Sequence, residues 1–408
     1  MTNRAETTAY ETIIIGAGAS GLFYAATDSS CKGRPGLVLE KTGKPGQKLL
    51  MSGNGACNIT HGGSIKEFID KYGNTGSRIR TCLYRHSNLE LMDFLSSGGV
   101  SLLERDDGKV FPASMKAADI LDLLLKKTAE NDYEIRTKSE VTEISPNSEN
   151  GIIVSLADGT VLQTERLVIA TGGASYPATG SDGSFAEVLR RVLGIKLTEL
   201  KPALTPVYVQ NYPFSDISGV SLEDVEVSSE AHVVRGPLLF THRGLSGPAA
   251  LHISQYVKTG SIIHLNFLPE RTIPDVFRQL KEEQPGNNRG IANYLSQSFG
   301  LPKALTEKMF ADPTRKFSSV GHKELETVAH LMMDRQFSVS GTGGWNEAMV
   351  TAGGVSLDEM NLKDMSLKAF PDIRVIGEAL DINGDTGGYN LQFAYSSARA
   401  AQNTGGVK

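Results

Sequence analysis

The spacing of apolar residues predicts a strand, a glycine-rich turn and a helix at the start of the chain. Residues 12–15 form the β-branched run Thr-Ile-Ile-Ile, which suits a strand buried on both faces of a parallel sheet. After the glycines of segment 16–21, apolar residues recur at helical spacing at Leu22, Ala25 and Ala26. Residues 37–40 (Leu-Val-Leu-Glu) read as a second strand, so the chain opens with a compact βαβ unit.

The rest of the pattern predicts an α/β domain that is interrupted by an insertion. We expect helices at 87–96, 117–129 and 391–401, and strands at 140–144, 152–156, 167–170 and 373–376. Asp158-Gly159 supplies a hairpin turn, and residues 43–63 read as a glycine-rich loop. From about 196, prolines separate β-type segments before a helical stretch at 274–327. We therefore predict a Rossmann-type domain from 1–195 and 345–408, interrupted by a domain at 196–344 that is part β and part α.

Composition and charge exclude several classes of protein. The 408 residues carry a formal net charge of -5, so no global positive field attracts nucleic acid or an anionic membrane. Three cysteines are too few for a disulfide framework and lack metal-site spacing, so we expect no metal site and a reducing compartment. The polar start at 1–11 has no signal pattern, and no apolar run approaches the roughly 20 residues that span a bilayer. We expect a cytoplasmic protein without a membrane partner.

The turn at 16–21 carries the first candidate site. Gly16-Ala17-Gly18-Ala19-Ser20-Gly21 fits the pattern G-x-G-x-x-G between a strand and a helix. In that pattern the first glycine permits a tight turn, the second lets backbone approach a pyrophosphate, and the third permits close helix packing. Glu40 lies 24 positions after Gly16, at the end of the second strand, where a carboxylate accepts hydrogen bonds from ribose hydroxyls. We predict a dinucleotide site here.

Two later glycine clusters favour FAD over NAD as the dinucleotide. Thr171-Gly172-Gly173 follows the strand at 167–170, and Gly377-Glu378 follows the strand at 373–376. Each places flexible backbone at the carboxyl edge of a parallel sheet, where cofactors bind. The second cluster continues through 381–392 into a helix, whose terminal amides can stabilise negative charge on a reduced flavin.

Several longer motifs stand out along the chain, at residues 46–60, 108–112 with 116–117, 170–183, 239–248, 351–355 and 377–392. Together they resemble the HI-type, or YhiN/BaiN-like, family of FAD-dependent, NAD(P)-linked oxidoreductases. The resemblance implies that the inserted domain has a β-barrel-like part and a helical part. Together with the glycine clusters, it predicts FAD contacts from Gly16, Gly18, Ala19, Ser20, Gly21, Glu40, Lys41, Lys48, Ser52, Gly53, Asn54, Asn58, Val141, Thr171, Gly172, Gly377, Glu378, Asp385, Thr386, Gly388, Asn390 and Leu391. One departure is Ala56, where the family usually has arginine, so a charge-assisted bond is missing or comes from elsewhere.

Two residues are candidates for the proton donor that a flavin reductase needs. Cys57 lies in the glycine-rich loop near the predicted cofactor, although cysteine is commonly a small buried hydrophobe. His242 lies in a polar loop of the insertion and titrates near neutrality, although a histidine bonded to loop backbone is the alternative. Tyr176 and Tyr389 either offer a phenol to the substrate or fill space beside the cofactor. Arg243 either pairs with an anionic substrate or the phosphate of NAD(P)H, or is solvated.

The predicted function is reduction of an activated carbon–carbon double bond by hydride transfer from flavin N5, with NAD(P)H as a transient reductant. No second G-x-G-x-x-G follows a strand, so the sequence gives NAD(P)H no Rossmann site of its own. The resemblance implies either a small steroid-like substrate or a uridine of ribosomal RNA. The one basic cluster, Arg78, Arg80 and Arg85, bears on RNA binding or marks a solvated helix face. The alternative class is a non-catalytic FAD-binding redox sensor.

Overall fold

The predicted βαβ unit forms around a central strand that is longer than the apolar run suggested. In the computed structural model, which describes residues 8–31, 33–147 and 151–402, this strand is β1 (Thr8–Ile15). Helix α1 (Ala19–Thr27) and strand β2 (Gly36–Leu39) follow it. Ile13 and Ile14 point to opposite faces of the sheet and are both fully buried, as expected for a central strand of a parallel sheet that is covered on both faces.

Short helices and strands then lead to an antiparallel meander. They are α2 (Gln47–Met51), β3 (Thr60–His61), α3 (Ile65–Phe68), α4 (Gly76–Arg85), α5 (Asn88–Ser97), β4 (Leu102–Glu104), β5 (Lys109–Pro112), α6 (Ala117–Glu130), β6 (Tyr133–Arg136), β7 (Val141–Asn147), β8 (Gly151–Leu156), β9 (Val161–Ile169), α7 (Ser184–Leu193) and β10 (Leu197–Ala203). The predicted hairpin turn joins β8 to β9, with Gly159 at a φ of 88°. Helix α2 lies inside the stretch that was predicted to be loop, because Gln47–Met51 contains good helix formers and buries Leu49.

The inserted segment forms a closed barrel and a group of helices. Its elements are β11 (Val207–Val209), β12 (Ser221–Ser229), β13 (His232–Phe240), β14 (Leu245–Ser246), α8 (Gly247–Ile253), β15 (Ile262–Asn266), α9 (Ile273–Glu283), α10 (Ile291–Phe299), α11 (Lys303–Glu307), α12 (His322–Met333) and β16 (Arg335–Thr342). The barrel order is β11-β14-β13-β12-β15-β16, so β16 closes it by pairing with β11 and β15. Fully buried Phe214 and Phe240 belong to its core.

The chain ends in five further elements of the first domain: β17 (Val350–Val355), β18 (Met360–Asn361), β19 (Ser366–Leu367), β20 (Ile373–Val375) and α13 (Tyr389–Ala401). The predicted fold, a Rossmann-type domain interrupted by a domain with a barrel and a helical part, is therefore confirmed. Met1–Lys201 with Val350–Lys408 forms one unit and Pro202–Met349 the other. This division lies six and five positions later than the predicted boundaries at 196 and 344. Among the described residues, no helix is long and apolar enough to cross a bilayer.

The main sheet determines where the candidate site lies. Its order is β18-β19-β20-β9-β1-β2-β6, and β20, β9, β1, β2 and β6 run parallel. The loops that follow β1, β2, β9 and β20 therefore leave the same carboxyl edge. Those loops begin at Gly16, Glu40, Ala170 and Ile376.

Candidate functional site

The three glycines of the first turn have the three roles that the motif predicts. An added Cβ on Gly16 would lie 2.5 Å from the carbonyl oxygen of Ala170, and one on Gly21 would overlap the carbonyl oxygen of Gly16. An added Cβ on Gly18, in contrast, meets nothing within 4 Å. Gly18 also caps α1 without a side-chain hydrogen bond, so the space beside it faces the amides of a helix N-terminus. This cradle fits the pyrophosphate of a dinucleotide.

Glu40 is held rigidly at the same edge. Its carboxylate is buried and accepts a hydrogen bond from the Ala17 backbone N–H at 3.0 Å. Its other oxygen accepts from the backbone N–H and the hydroxyl of Thr42, both at 2.8 Å. An ionised carboxylate has about four acceptor sites and three of them are used, so Glu40 keeps one site for a ribose hydroxyl. The position fits the predicted role of Glu40.

The loop that follows β9 reaches the loop that follows β2. Lys41 pairs with Asp182 at 2.7 Å, and an added Cβ on Gly180, where φ is 95°, would lie 2.8 Å from Thr42 Cγ2. The Ser139 backbone N–H donates to the Glu40 carbonyl at 2.9 Å, just before Val141 starts β7. Lys41 and Val141, both predicted from sequence, therefore lie beside Glu40.

An ion pair joins three loops at the centre of the edge. Lys48 Nζ on α2 contacts Glu378 Oε2 at 2.5 Å and also donates to Ser175 Oγ. The Ser175 hydroxyl in turn donates to Glu378 Oε1 at 3.1 Å. Both charged side chains are mostly buried, with 26% and 22% of their surface exposed. Gly172 lies beside this pair, since its added Cβ would be 3.9 Å from Glu378 Oε2.

Thr351 supports the pair from behind, and sequence reasoning missed it as a site residue. Its buried Oγ1 accepts from the backbone N–H groups of Ala174 at 2.8 Å and Ser175 at 3.1 Å. Its own backbone N–H donates to Glu378 Oε1 at 2.7 Å. The sequence feature that points to Thr351 is the motif at 351–355, which belongs to the family resemblance but does not by itself show what the threonine contacts.

Replacing Thr351 with valine is expected to destabilise the protein by about 2–4 kcal/mol, because two buried N–H groups lose their acceptor. Serine keeps the oxygen and loses one methyl group, so Thr351→Ser should cost about 1 kcal/mol. Urea unfolding of the two variants measures the difference. Equal losses for valine and serine would contradict the proposed role of the hydroxyl.

The loop from Ser52 to Asn58 is tightly wound and contacts the start of α13. Gly53, Asn54 and Cys57 all have φ between 55° and 58°. With its amide oriented to satisfy its neighbours, Asn58 accepts from the Gly388 N–H at 3.1 Å and donates to the Thr60 carbonyl at 2.9 Å. Ser52 stays within the loop, where its hydroxyl donates to the Leu49 carbonyl at 2.7 Å.

The turn that opens α13 is shaped by Asn390. Its side-chain amide donates to the Gly384 carbonyl at 2.8 Å and to the Asp385 carbonyl at 3.3 Å, and its oxygen accepts from the Gly384 N–H at 2.8 Å. Gly388 is the N-cap at a φ of 94°. Asp385, Thr386 and Gly388 thus lie on this ordered turn and Leu391 in the first turn of α13, and their contacts with a cofactor stay a prediction.

The thiol of Cys57 is fully buried. Burial raises its pKa from 9.0 to about 11, and a hydrogen bond with Ser52 opposes part of that rise. The thiol therefore holds its proton at neutral pH, and its role as a donor stays a prediction.

We expect Cys57 to resist a disulfide dye in the native protein at pH 8 and to react once the protein is unfolded. The folded-state pKa is raised, so the stabilisation from burying the neutral thiol is complete below pH 9.0 and is lost as the pH rises through about 11. Peptide mapping after labelling identifies the residue. Rapid labelling of native Cys57 at pH 8 would show that the thiol is accessible.

The remaining candidates divide between the two units. Exposed His242 and Arg243 lie in the second unit, where Arg243 stacks 4.9 Å from the ring centroid of Tyr208. The catalytic role of His242 stays a prediction. Tyr389 is buried and stacks on His61 at 5.4 Å, which favours the space-filling role.

Comparisons with known proteins agree with this arrangement. A family model described as HI0933-like protein Rossmann domain matches residues 10–404. The chain is 31% identical over 404 residues to the ribosomal RNA dihydrouridine synthase of Escherichia coli, with 96% of each chain covered. It is 27% identical to the 3-dehydro-bile acid delta(4,6)-reductase of Clostridium scindens, over 95% of this chain and 97% of that protein.

A solved structure supports the fold independently of close sequence similarity. The 3-ketosteroid-delta4-(5alpha)-dehydrogenase of Rhodococcus jostii superposes with a TM-score of 0.54 at 13% identity, with 98% of both chains covered. The glycine cradle, the carboxylate at the end of β2 and the family match over nearly the whole chain lead to one conclusion. The chain belongs to the HI0933-like Rossmann-domain family and is an FAD-dependent oxidoreductase.

Proposed function

We propose that this enzyme reduces a conjugated carbon–carbon double bond, with NAD(P)H as the electron source and a uridine of ribosomal RNA as the substrate. The observation that carries the proposal is the similarity, over 96% of the chain, to a protein named as a ribosomal RNA dihydrouridine synthase. The relative named as a bile acid reductase carries out a related chemical change on a different molecule. A conjugated double bond is the feature that the two substrates share.

The residues at the carboxyl edge have clear tasks in such a reaction. FAD, when bound, would supply the hydride from N5. Gly18 and the first turn of α1 would hold the pyrophosphate, and Glu40 would accept hydrogen bonds from the ribose. Lys48 and Glu378, fixed by Ser175 and Thr351, would set the position of the ring system between the loops after β9 and β20.

Adding hydride to one carbon leaves the other carbon in need of a proton. Cys57 carries its proton throughout the neutral range, because burial raises its pKa to about 11. We assign the donor role to Cys57 as first candidate, which requires the loop at 52–58 to open and bring its buried thiol to the substrate, and to exposed His242 as second. Cys57→Ala and His242→Gln would separate them: the variant that lacks the donor should lose at least 100-fold in turnover while flavin reduction by NAD(P)H continues.

A small enone is the second candidate substrate, and the net charge of -5 favours it. A protein that binds RNA through phosphates generally presents a basic surface. A small apolar molecule needs only a pocket. The charge argument and the sequence identity thus point to different substrates, and an experiment separates them.

The test is an anaerobic absorption titration of the purified yellow protein. We expect NADH or NADPH to bleach the flavin band, and ribosomal RNA lacking the modification to restore it with formation of dihydrouridine. If an enone restores the flavin band and RNA does not, the substrate is a small enone and not a uridine of ribosomal RNA. Bleaching without recovery by either acceptor would favour the redox sensor, and absence of FAD after reconstitution would overturn the proposal.

A further inference from the structure

A second cleft opens in the first unit, away from the carboxyl edge. Its volume is about 1050 Å³, and its walls come from α4, from residues 360–374 and from β9. Arg166 on β9 lies five positions before Thr171, which corresponds to about 16 Å along a strand. The cleft is therefore separate from the glycine cradle that holds the dinucleotide.

Two arginines face this cleft from neighbouring strands. Arg374 on β20 pairs with Val168 on β9, two residues after Arg166, so both side chains project from the same face of the sheet. Both residues line the cleft. Arg374 is only 7% exposed, and its Nε has no hydrogen-bond partner within the part of the chain that the structure describes.

Four carboxylates also line the cleft, those of Glu11, Glu165, Asp364 and Asp372, and the charges of Asp364 and Asp372 raise the pKa of Arg374 in part. Two of the four are bound to other groups. Glu11 pairs with Arg34 at 2.7 Å, and Asp364 accepts from the Ser366 hydroxyl at 2.7 Å. Neither Arg166 nor Arg374 forms an ion pair with a carboxylate in the described ranges. The cleft thus contains two adjacent guanidinium groups, neither of which is in ion-pair contact with a carboxylate of the described residues.

The buried position of Arg374 is costly unless an anion completes it, whereas Tyr24 and Asp28 raise the pKa of Arg166 against the effect of burial. Burial lowers the pKa of Arg374 below the usual range of arginine, and the neighbouring charge of Arg166 lowers it further. A buried, unpaired cation is unfavourable, and protein interiors normally supply a partner. An anion that accepts hydrogen bonds from both guanidinium groups would supply it.

We propose that this cleft is a phosphate-binding site, in which Arg166 and Arg374 hold the phosphate of a nucleotide-sized ester or of an RNA strand. Guanidinium groups match phosphate oxygens in a fork geometry, and a phosphate offers more acceptor oxygens than a carboxylate. The volume suits a ligand of nucleotide size, since ligand pockets commonly measure about 300–1,000 Å³. The site does not depend on the proposed substrate of the flavin.

Calorimetric titration of the FAD-loaded protein tests the proposal, because bound FAD already fills the glycine cradle. The probes are inorganic phosphate, uridine 5′-monophosphate and a single-stranded RNA oligomer. We expect the wild type to bind a phosphate probe and Arg166→Gln and Arg374→Gln to bind it at least 10-fold more weakly. Arg191→Gln, at an exposed arginine in the last turn of α7 outside the cleft, is the matched control and should bind as the wild type does.

The probes distinguish the two sources of phosphate. A loss of nucleotide binding with unchanged RNA binding in Arg166→Gln identifies a small ester as the ligand. If Arg166→Gln loses affinity for RNA, and the slope of log K against log salt concentration falls by about one, the ligand is an RNA strand. Wild-type protein that binds no phosphate probe, or Arg166→Gln that binds as tightly as Arg191→Gln, would overturn the proposed phosphate site. Arg166 is only half-buried, so Arg166→Gln tests the site even if Arg374→Gln fails to fold. Bleaching of the flavin by NAD(P)H in the same samples tests the proposed function separately.

Discussion

Replacing Gly18 with alanine is expected to leave a folded protein that binds FAD about 100-fold more weakly, a loss of about 2.8 kcal/mol. The added methyl group meets no protein atom within 4 Å, and Gly18 has a φ of -79°, which alanine adopts without strain. The methyl group would instead occupy the space through which backbone approaches the pyrophosphate. Flavin content after purification and a fluorescence titration with FAD measure the effect.

Two further glycine variants make this result interpretable. Gly344→Ala also meets nothing within 4 Å, lies in the other unit, and should bind FAD normally. Gly21→Ala would overlap the Gly16 carbonyl and should destabilise the apoprotein itself. If Gly18→Ala retains FAD as well as Gly344→Ala does, the cofactor does not lie against the first turn.

Local sequence patterns were sufficient for the parts of the fold and site that depend on neighbours in the chain. The β-branched run at 12–15 and the glycines after it predict β1 and the cradle, because a buried strand and a tight turn each depend on residues that are adjacent in the chain. The acid at position 40 could be predicted because a fixed interval separates it from Gly16. These features need no knowledge of distant contacts.

Contacts between distant segments account for what the sequence did not reveal. Strand β16 joins the barrel by pairing with β15, about seventy residues earlier, and with β11, more than a hundred residues earlier, and its own pattern is weak. Thr351 accepts hydrogen bonds from residues 174 and 175, which lie 177 and 176 positions earlier, so its role follows from the folded chain alone. Ser175 was likewise visible only as part of a motif, although it connects Lys48 to Glu378.

A double-mutant cycle on Lys48 and Glu378 should show strong energetic coupling. Lys48→Met leaves the carboxylate of Glu378 without its cation, and Glu378→Gln leaves the ammonium of Lys48 without its anion, so each should cost about 3 kcal/mol of unfolding free energy. The double variant should cost less than the sum of the two, with a coupling of about 1–3 kcal/mol. Urea unfolding of the four proteins without FAD measures this coupling.

The pair formed by Lys41 and Asp182 provides the comparison. It lies at the same sheet edge with the same 26% exposure of its lysine, but its carboxylate is 42% exposed, against 22% for Glu378. Water screens that pair more, so its coupling should be about 0.2–1 kcal/mol. Equal coupling in the two cycles would mean that burial does not strengthen the pair of Lys48 and Glu378. A larger value confined to that pair, together with weaker FAD binding by Lys48→Met, would identify it as the fixed element around which the three cofactor loops assemble.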